Sequence, residues 1–147
     1  KWDLIINKND IKRKIINKIN EIFFDAKGIN VLFMSSKEKE SKIKVSEAII
    51  ELYQKWNKKI STSELNKWFS NIWEVSGNQK MPGSLKFKYI SQNKTRPPTF
   101  SIYHNKNSKV PKVTKRYIVN RIREKFGLEG IPIRINLRTS KNPYKKK

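Results

Sequence analysis

The stretch that decides the fold is residues 85–104, which read LKFKYISQNKTRPPTFSIYH. Large apolar side chains alternate with lysines over residues 85–90, and this period of two is typical of a half-buried β-strand. A turn is predicted at residues 93–98, because two consecutive prolines there have no N–H group for pairing between strands. Alternation resumes at residues 100–104, which predicts a second strand. Leu85, Phe87 and Tyr89 are expected to share the buried face of the first strand.

The flanking segments complete a small domain around these two strands. Ser61 and Glu64 form a capping box ahead of an apolar stripe that extends to Trp73, which predicts a helix. Residues 114–126 predict a second helix, and Gly127 is placed to end it. Residues 131–137 alternate as a third strand. The resulting order, α-β-β-α-β, indicates an α+β domain in which two helices cover one face of a three-stranded sheet.

The uncovered face of this sheet is predicted to bind an anion. Residues 61–147 contain 20 Lys or Arg and only 4 Asp or Glu, and nucleic acid is the commonest partner of so basic a domain. Ser101 and Tyr103 are expected among the cations of this face. The residues predicted to contact RNA lie on this face or on the second helix, directed away from the core: Lys86, Lys88, Lys115, Arg116, Arg123, Arg134 and Arg138.

The first sixty residues have a different pattern. Helices are predicted at residues 11–24, with Asp10 as N-cap, and at residues 43–58, both with one apolar stripe. The apolar run at residues 31–34 predicts a short buried strand between them. Because one strand cannot form a sheet, this α/β piece is expected to belong to a domain that continues upstream of Lys1.

Composition excludes several kinds of protein. The chain has no Cys and one His, which removes disulfides and makes a His- or Cys-based metal site improbable. No apolar run approaches the roughly 18–20 residues of a membrane helix, so a soluble cytoplasmic protein without membrane contact is expected. The net charge of +22 comes with heavy use of Lys, Asn and Ile, so part of it can be compositional bias.

The order of several strings resembles the C-terminal part of the bacterial double-Era GTPases, the Der or EngA family. The strings are ISTSELN at 60–66, KTRPPTF at 94–100, RY at 116–117, NRIR at 120–123, FGLEGIPIR at 126–134 and RTSKNPY at 138–144. The resemblance implies a KH-like domain at residues 60–144, followed by a basic tail at 145–147. It also implies that residues 1–59 are the end of the second G domain.

The resemblance extends to a guanine site. Lys1-Trp2-Asp3 is similar to the end of an Asn-Lys-Trp-Asp motif, and residues 32–37 are similar to the later serine loop. The resemblance implies that five residues bind the base of GTP or GDP: Lys1, Asp3, Ser35, Ser36 and Lys37. The Asp3 carboxylate would accept hydrogen bonds from the N1 and N2 edge of guanine. A second segment, Asn7-Lys8-Asn9-Asp10, also matches the Asn-Lys-x-Asp pattern and follows an apolar run. It is the less favoured alternative for the guanine motif.

The implied function belongs to a longer protein. A member of this family would bind GTP or GDP with Mg²⁺, hydrolyse GTP, and act with ribosomal RNA in assembly of the large ribosomal subunit. The chain has no phosphate loop of the form GxxxxGK[ST], so it is expected to hold no cofactor and to be inactive alone. Two alternatives remain: a stand-alone basic RNA-binding protein, and an interaction domain that docks the G domains.

Three further features favour structural roles. GLEG at residues 127–130 matches the letters of a KH backbone clamp, but it lies between a helix and a strand and contains Glu129, which would repel phosphate, so it is interpreted as a helix stop and turn. Arg96-Pro97-Pro98 is interpreted as the end of a strand ladder, and a docking contact of this turn with a neighbouring G domain is left open. His104 is expected to pack in the core, because no nucleophile or carboxylate accompanies it.

Overall fold

The computed structural model describes residues 1–23, 28–75, 85–105 and 110–139. A short 3-10 helix, Trp2–Leu4, comes first. The helices that follow are α1 (Lys8–Ile22), α2 (Lys39–Asn57), α3 (Thr62–Val75) and α4 (Lys112–Phe126), and the strands are β1 (Phe87–Thr95), β2 (Pro98–His104) and β3 (Arg134–Thr139). From α3 onward the order is α-β-β-α-β, so the predicted α+β, KH-like arrangement is confirmed. Residues 76–84, whose two Gly and one Pro predict a loop, and the basic tail lie outside the described residues.

The three strands form one mixed sheet in the order β1-β2-β3. β1 and β2 are antiparallel, whereas β3 lies parallel to β2, and α4 makes the connection that a parallel pair requires. The hairpin ladder continues to Thr95 opposite Pro98, so the predicted turn at 93–98 was too long. Pro98 is tolerated because the first position of a strand needs no N–H for the ladder.

A β-bulge in β1 decides which residues face the helices. Phe87 pairs with His104, and the next pair is Tyr89 with Tyr103, which leaves Lys88 as the extra residue. An extra residue reverses the alternation that follows it. Ile90, at 0% exposure, therefore occupies the core, and the prediction that Tyr89 is buried was wrong.

The core lies between the sheet and the two helices of this domain, because α3 and α4 both contribute apolar side chains to it. Phe100 and Ile102 from the central strand are fully buried, and His104 is buried beside the ring of Phe87, as expected of a packing histidine. The other members of the cluster come from the linker, the helices and the edge strands: Ile60, Leu65, Phe69, Ile90, Ile118, Ile122, Phe126, Leu128, Ile131 and Ile135.

Two side-chain amides connect the helical layer to β1. The Asn66 Oδ1 atom accepts the N–H of Ile90 at 3.0 Å, and its Nδ2 donates to the Ile90 carbonyl at 3.0 Å, so this amide pairs with β1 as a neighbouring strand would. Gln92 accepts the N–H of Ile60 at 2.7 Å and donates to the Lys58 carbonyl at 3.0 Å. Both amides therefore satisfy backbone groups where no strand is available.

The helix boundaries differ from prediction by about one turn at some ends. α1 begins after Asn7, so the predicted N-cap Asp10 lies within the first turn. α2 begins at Lys39, where Ser41 Oγ donates to Glu38 at 2.9 Å. The capping prediction for α3 is confirmed on the serine side, because the Glu64 N–H donates to Ser61 Oγ at 3.2 Å.

The α1 and α2 stripes are less buried than predicted. Ile15, Ile22, Ile49, Leu52 and Trp56 are all exposed. Residues 31–34 form no strand among the described residues, since a single backbone bond, from the Trp2 N–H to the Met34 carbonyl at 3.2 Å, does not make a ladder. A helical stripe is buried only where a second layer covers it.

Two turns join the N-terminal residues to the KH-like domain. Gly28, with φ +82, lies so close to the α4–β3 turn that a Cβ there would stand 2.8 Å from Glu129 Cβ. Gly130, with φ +73, faces the carbonyl of Gly28. Lys58 Nζ donates to the Phe126 carbonyl at 2.8 Å, which adds a polar contact to this junction.

Substitution of Gly130 is expected to report on this junction. A Cβ at Gly130 would lie 3.0 Å from the Gly28 carbonyl oxygen, and the left-handed backbone adds strain. Gly130→Ala should lower the free energy of unfolding by about 2 kcal/mol. Gly127→Ala is the matched control, because Gly127 has φ +62 with no described atom within 4 Å of the added carbon. Equal losses in urea titrations of the two variants would contradict a tight junction.

Candidate nucleic-acid interface

The face of the sheet opposite the helices carries three transverse rows of side chains. Cross-strand pairing defines the rows, because directly paired residues share a face. From β1 through β2 to β3 the rows are Tyr89–Tyr103–Arg138, Ser91–Ser101–Asn136 and Lys94–Thr99–Arg134. We call these nine residues the open face. None of the nine is acidic, so its charge is uniformly positive.

The first row contains a stacked aromatic pair. The Tyr89 and Tyr103 rings have centroids 4.2 Å apart and an interplanar angle of 14°. Desolvation raises the pKa of the Tyr89 phenol, the Tyr103 hydroxyl raises it further, and the charge of Arg138 lowers it. Arg138 is therefore close enough to act electrostatically on the aromatic pair. The bulge creates this pair, since without it Tyr89 would face the core.

The predicted RNA-contact residues of the sheet are all exposed, but they differ in position. Arg134 and Arg138 lie on the open face, at opposite ends of β3, as the alternation indicated. Lys88 is the bulge residue, and Lys86 lies just before β1, where its N–H donates to Asn105 Oδ1 at 2.7 Å. Lys94, which was not predicted as a contact, completes the row that ends at Arg134.

The cations of α4 divide into two groups. Lys115 and Arg116 are exposed near the start of the helix. Arg123 is 3% exposed, and its Nη1 donates to Asn120 Oδ1 at 3.1 Å. The prediction that Arg123 points away from the core was wrong, because it lies beside Ile122 on the inward side of α4. A guanidinium buried in this way does not reach a phosphate on the surface.

Two other sequence-based interpretations can be compared with the structure. Gly127 ends α4 in the left-handed conformation, and Leu128 is fully buried, which confirms the helix stop and turn. Ser101 lies on the open face as predicted, but it is 0% exposed, and its Oγ has no hydrogen-bond partner among the described residues. Its hydroxyl is therefore covered by the larger side chains around it, and it offers no surface contact.

The residues suggested for guanine binding come together at the N-terminus. Trp2 and Phe33 rings lie 4.5 Å apart, which holds the first residues against the serine loop. A hydrogen bond from the Ser35 side chain lowers the pKa of Asp3. Ser35 is buried, and its N–H donates to Ser41 Oγ at 3.3 Å. The same Ser35 Oγ accepts the Lys37 N–H at 3.4 Å.

The other residues of this region are more peripheral. Lys1, Ser36 and Lys37 are exposed, and the amino group of Lys1 donates to the Met34 carbonyl at 3.4 Å. The alternative motif lies at the start of α1, where the carboxylate of Asp10 pairs with Arg13 at 3.2 Å. Its carboxylate is thus engaged on the helix surface, whereas Asp3 lies beside the serine loop.

The β1–β2 turn makes a docking contact, which the sequence left undecided. The Arg96 guanidinium lies 5.3 Å from the Tyr53 ring centroid, donates to the Tyr53 hydroxyl at 3.2 Å, and also donates to Asn57 Oδ1. This turn therefore docks onto the last turns of α2, in addition to its role in ending the ladder. The open face takes no part in that contact.

Comparisons with known proteins agree with this architecture. Residues 59–138 match the family model described as the KH-domain-like C-terminal domain of EngA bacterial GTPase enzymes. In the described part of the chain, no helix is long and apolar enough to cross a membrane.

Several bacterial relatives match nearly the whole chain. GTPase Der of Rickettsia bellii is 40% identical over 148 residues, which cover 98% of this chain and 33% of that protein. GTPase Der of Rickettsia rickettsii and of Rickettsia canadensis are 39% and 38% identical over the same shares. The chain thus spans about a third of the length of these relatives. Its family model covers more than half of its residues, and the chain therefore belongs to the EngA family of bacterial GTPases, with their KH-like C-terminal domain at residues 59–138.

Proposed function

We propose that the KH-like domain contacts ribosomal RNA, as part of a GTP-binding factor that acts in assembly of the large ribosomal subunit. The observation that carries this proposal is the open face, where Lys94, Arg134 and Arg138 stand on a rigid sheet without an acidic neighbour among the nine residues. Exposed Lys86, Lys88, Lys115 and Arg116 extend the positive surface. The affinity of a nucleic acid for such a surface rises with the number of its phosphates that Lys and Arg side chains neutralise.

Residues 1–59 are proposed to be the end of a G domain that holds the guanine base. The contact of Asp3 with Ser35 supports this, because it brings together the two segments that the resemblance assigns to the base. GTP or GDP and Mg²⁺ would bind to the longer protein, whose relatives are named GTPases. The exposed stripes of α1 and α2 are the surfaces that the remainder of that domain would cover.

Docking between the KH-like domain and the G domains is a second proposed role, and two contacts favour it. Arg96 docks on α2, and Gly28 meets the α4–β3 turn. These contacts use the edges of the KH-like domain and leave out the exposed residues of the open face, which are Tyr89, Lys94, Arg134, Asn136 and Arg138. The structure thus supports docking through the turns and RNA contact through the face.

Removal of two arginines tests the RNA proposal. Arg134→Ala with Arg138→Ala should weaken binding of a ribosomal RNA fragment roughly tenfold at about 0.1 M salt and reduce the salt slope by about 1.5. The reason is that two phosphate contacts, and the counterions they release, are lost. Filter-binding titrations at several salt concentrations measure both quantities.

A matched control separates contact from total charge. Lys14→Ala with Lys42→Ala removes the same charge from exposed positions on α1 and α2, away from the sheet. We expect this variant to bind RNA within about twofold of the unaltered protein. Equal losses in the two double variants would mean that RNA responds only to net charge. No retention of RNA by the unaltered protein at low salt would refute the proposal.

A further inference from the structure

The row Tyr89–Tyr103–Arg138 places two rings and a guanidinium side by side across the full width of the sheet. Tyr103 covers one face of the Tyr89 ring at a centroid distance of 4.2 Å. Because β1 is an edge strand in the described sheet, no further strand stands beyond Tyr89. The residue is 42% exposed, so its outer ring surface remains accessible to a planar ligand.

This combination differs from a surface that only attracts phosphate. Lysine and arginine suffice for non-specific attraction to a nucleic-acid backbone, and an exposed tyrosine adds nothing to it. Aromatic side chains on a rigid sheet, by contrast, are the platforms on which unpaired bases stack. A stacked pair is a firm platform, since the inner ring holds the outer ring in place.

We infer that the open face binds unpaired RNA, with one base stacked on the outer surface of Tyr89 and a backbone phosphate held by Arg138. The inference rests on the proposed RNA function and specifies the form of RNA that is bound. Lys94 and Arg134 form the parallel row two rows away. Four residues of β2 separate the rows, which is about 13 Å and leaves space for a second phosphate along the strand.

Duplex RNA fits this face less well. Inside an A-form helix the bases are stacked on one another, so only the two terminal pairs have a free surface for Tyr89. Along the rest of the helix, the phosphates and the 2′-hydroxyls of the shallow groove are presented. Duplex binding would therefore use the cations alone. The open face is expected to prefer single strands, bulges or loops over a paired stem.

The experiment compares the affinities of the full chain for two RNAs. Fluorescence anisotropy at low salt is measured with a labelled single-stranded octamer of uridines and with a labelled duplex of the same length. Tyr89→Leu should weaken octamer binding roughly tenfold and change duplex binding by less than about twofold. Tyr89→Trp should retain or strengthen octamer binding, because a larger ring still stacks.

Trp56→Leu is the matched control. Trp56 is also 42% exposed, but it lies on α2 and is not one of the nine residues of the open face. Its removal should leave both affinities unchanged. Thermal unfolding of each variant shows whether the fold is retained, and Tyr89→Phe, which keeps the ring, separates stacking from loss of structure.

The outcomes separate base stacking on Tyr89 from the more general proposal that the domain contacts RNA. Loss of octamer binding in Tyr89→Leu, with recovery in Tyr89→Trp, supports stacking. If octamer and duplex bind equally and Tyr89→Leu has no effect, the stacking inference is wrong while RNA contact stands. If the unaltered chain binds neither RNA, both are wrong, and the open face is left as a protein-docking surface.

Discussion

Phe100→Ala is expected to lower the free energy of unfolding by about 3–5 kcal/mol. Phe100 is fully buried at the centre of β2, between the two other strands and under α3 and α4. Removal of the ring eliminates its buried apolar area and leaves a cavity that surrounding residues fill only in part. The free energy of unfolding of natural domains is only about 5–15 kcal/mol, so this one substitution removes a large fraction of the total stability.

Urea denaturation followed by circular dichroism measures this loss. Val113→Ala is the control, since Val113 is 79% exposed at the start of α4 and its truncation should change stability by less than about 0.5 kcal/mol. Phe100→Leu should cost less than Phe100→Ala, because it keeps most of the volume. A loss below about 1 kcal/mol for the alanine variant would mean that β2 is not central to the core.

Alternation predicted the three strands because each one has a covered and an uncovered face. Their bounds differ from prediction, since β1 continues to Thr95 and not to residue 90, and β3 is Arg134–Thr139 and not 131–137. Alternation placed Phe100, Ile102 and Ile135 inward and Arg134 and Arg138 outward, as the structure has them. The method fails at a bulge, because nothing in a run such as Phe87-Lys88-Tyr89 indicates which residue is extra. The stacked tyrosines follow from that one residue, so sequence reasoning did not find them.

The helices show a second limit of prediction from sequence patterns, which concerns burial. An apolar stripe predicts a buried face, but it does not supply the layer that covers it. Leu65 and Phe69 of α3 and Ile118, Ile122 and Phe126 of α4 are buried against the sheet, although Tyr117 of α4 is exposed. In contrast, α1 and α2 keep exposed residues such as Ile49 and Trp56 among the described parts of the chain. Arg123 is a further case, since a cation beside an apolar stripe gives no signal that its long stem turns inward.

Two polar residues that bond to backbone gave no signal in the sequence. Without the bulge, alternation places Gln92 on the outer face with Lys86 and Lys88, and Asn66 lies beside Leu65 but outside the apolar stripe of α3. Each amide makes a hydrogen bond to the backbone of another segment. The sequence gives no partner for that bond, because the partners lie 24 and 32 residues away.

Asn66→Ala is expected to lower the free energy of unfolding by about 2–3 kcal/mol. The change leaves the N–H and the carbonyl of Ile90 without their hydrogen bonds beside a fully buried side chain. The better helix propensity of alanine offsets only about 0.6 kcal/mol. Asn71→Ala, at an exposed position of the same helix, is the control and should be neutral or slightly stabilising.

Asn66→Asp tests whether both hydrogen bonds matter. An ionised carboxylate still accepts the Ile90 N–H, but it cannot donate to the Ile90 carbonyl. Two oxygen atoms would then face each other at the position where 3.0 Å now separates donor from acceptor.

A protonated carboxyl can donate again, so folding favours protonation and raises the pKa of the introduced group above its value of about 3.9 in the unfolded chain. The stabilising effect of that proton is present at low pH and is lost as pH rises through the raised pKa. The difference in unfolding free energy between Asn66→Asp and the unaltered protein should therefore shrink between about pH 7 and pH 4. A difference that stays constant over this range would show that the bond to the Ile90 carbonyl contributes little, and that the amide acts only as an acceptor.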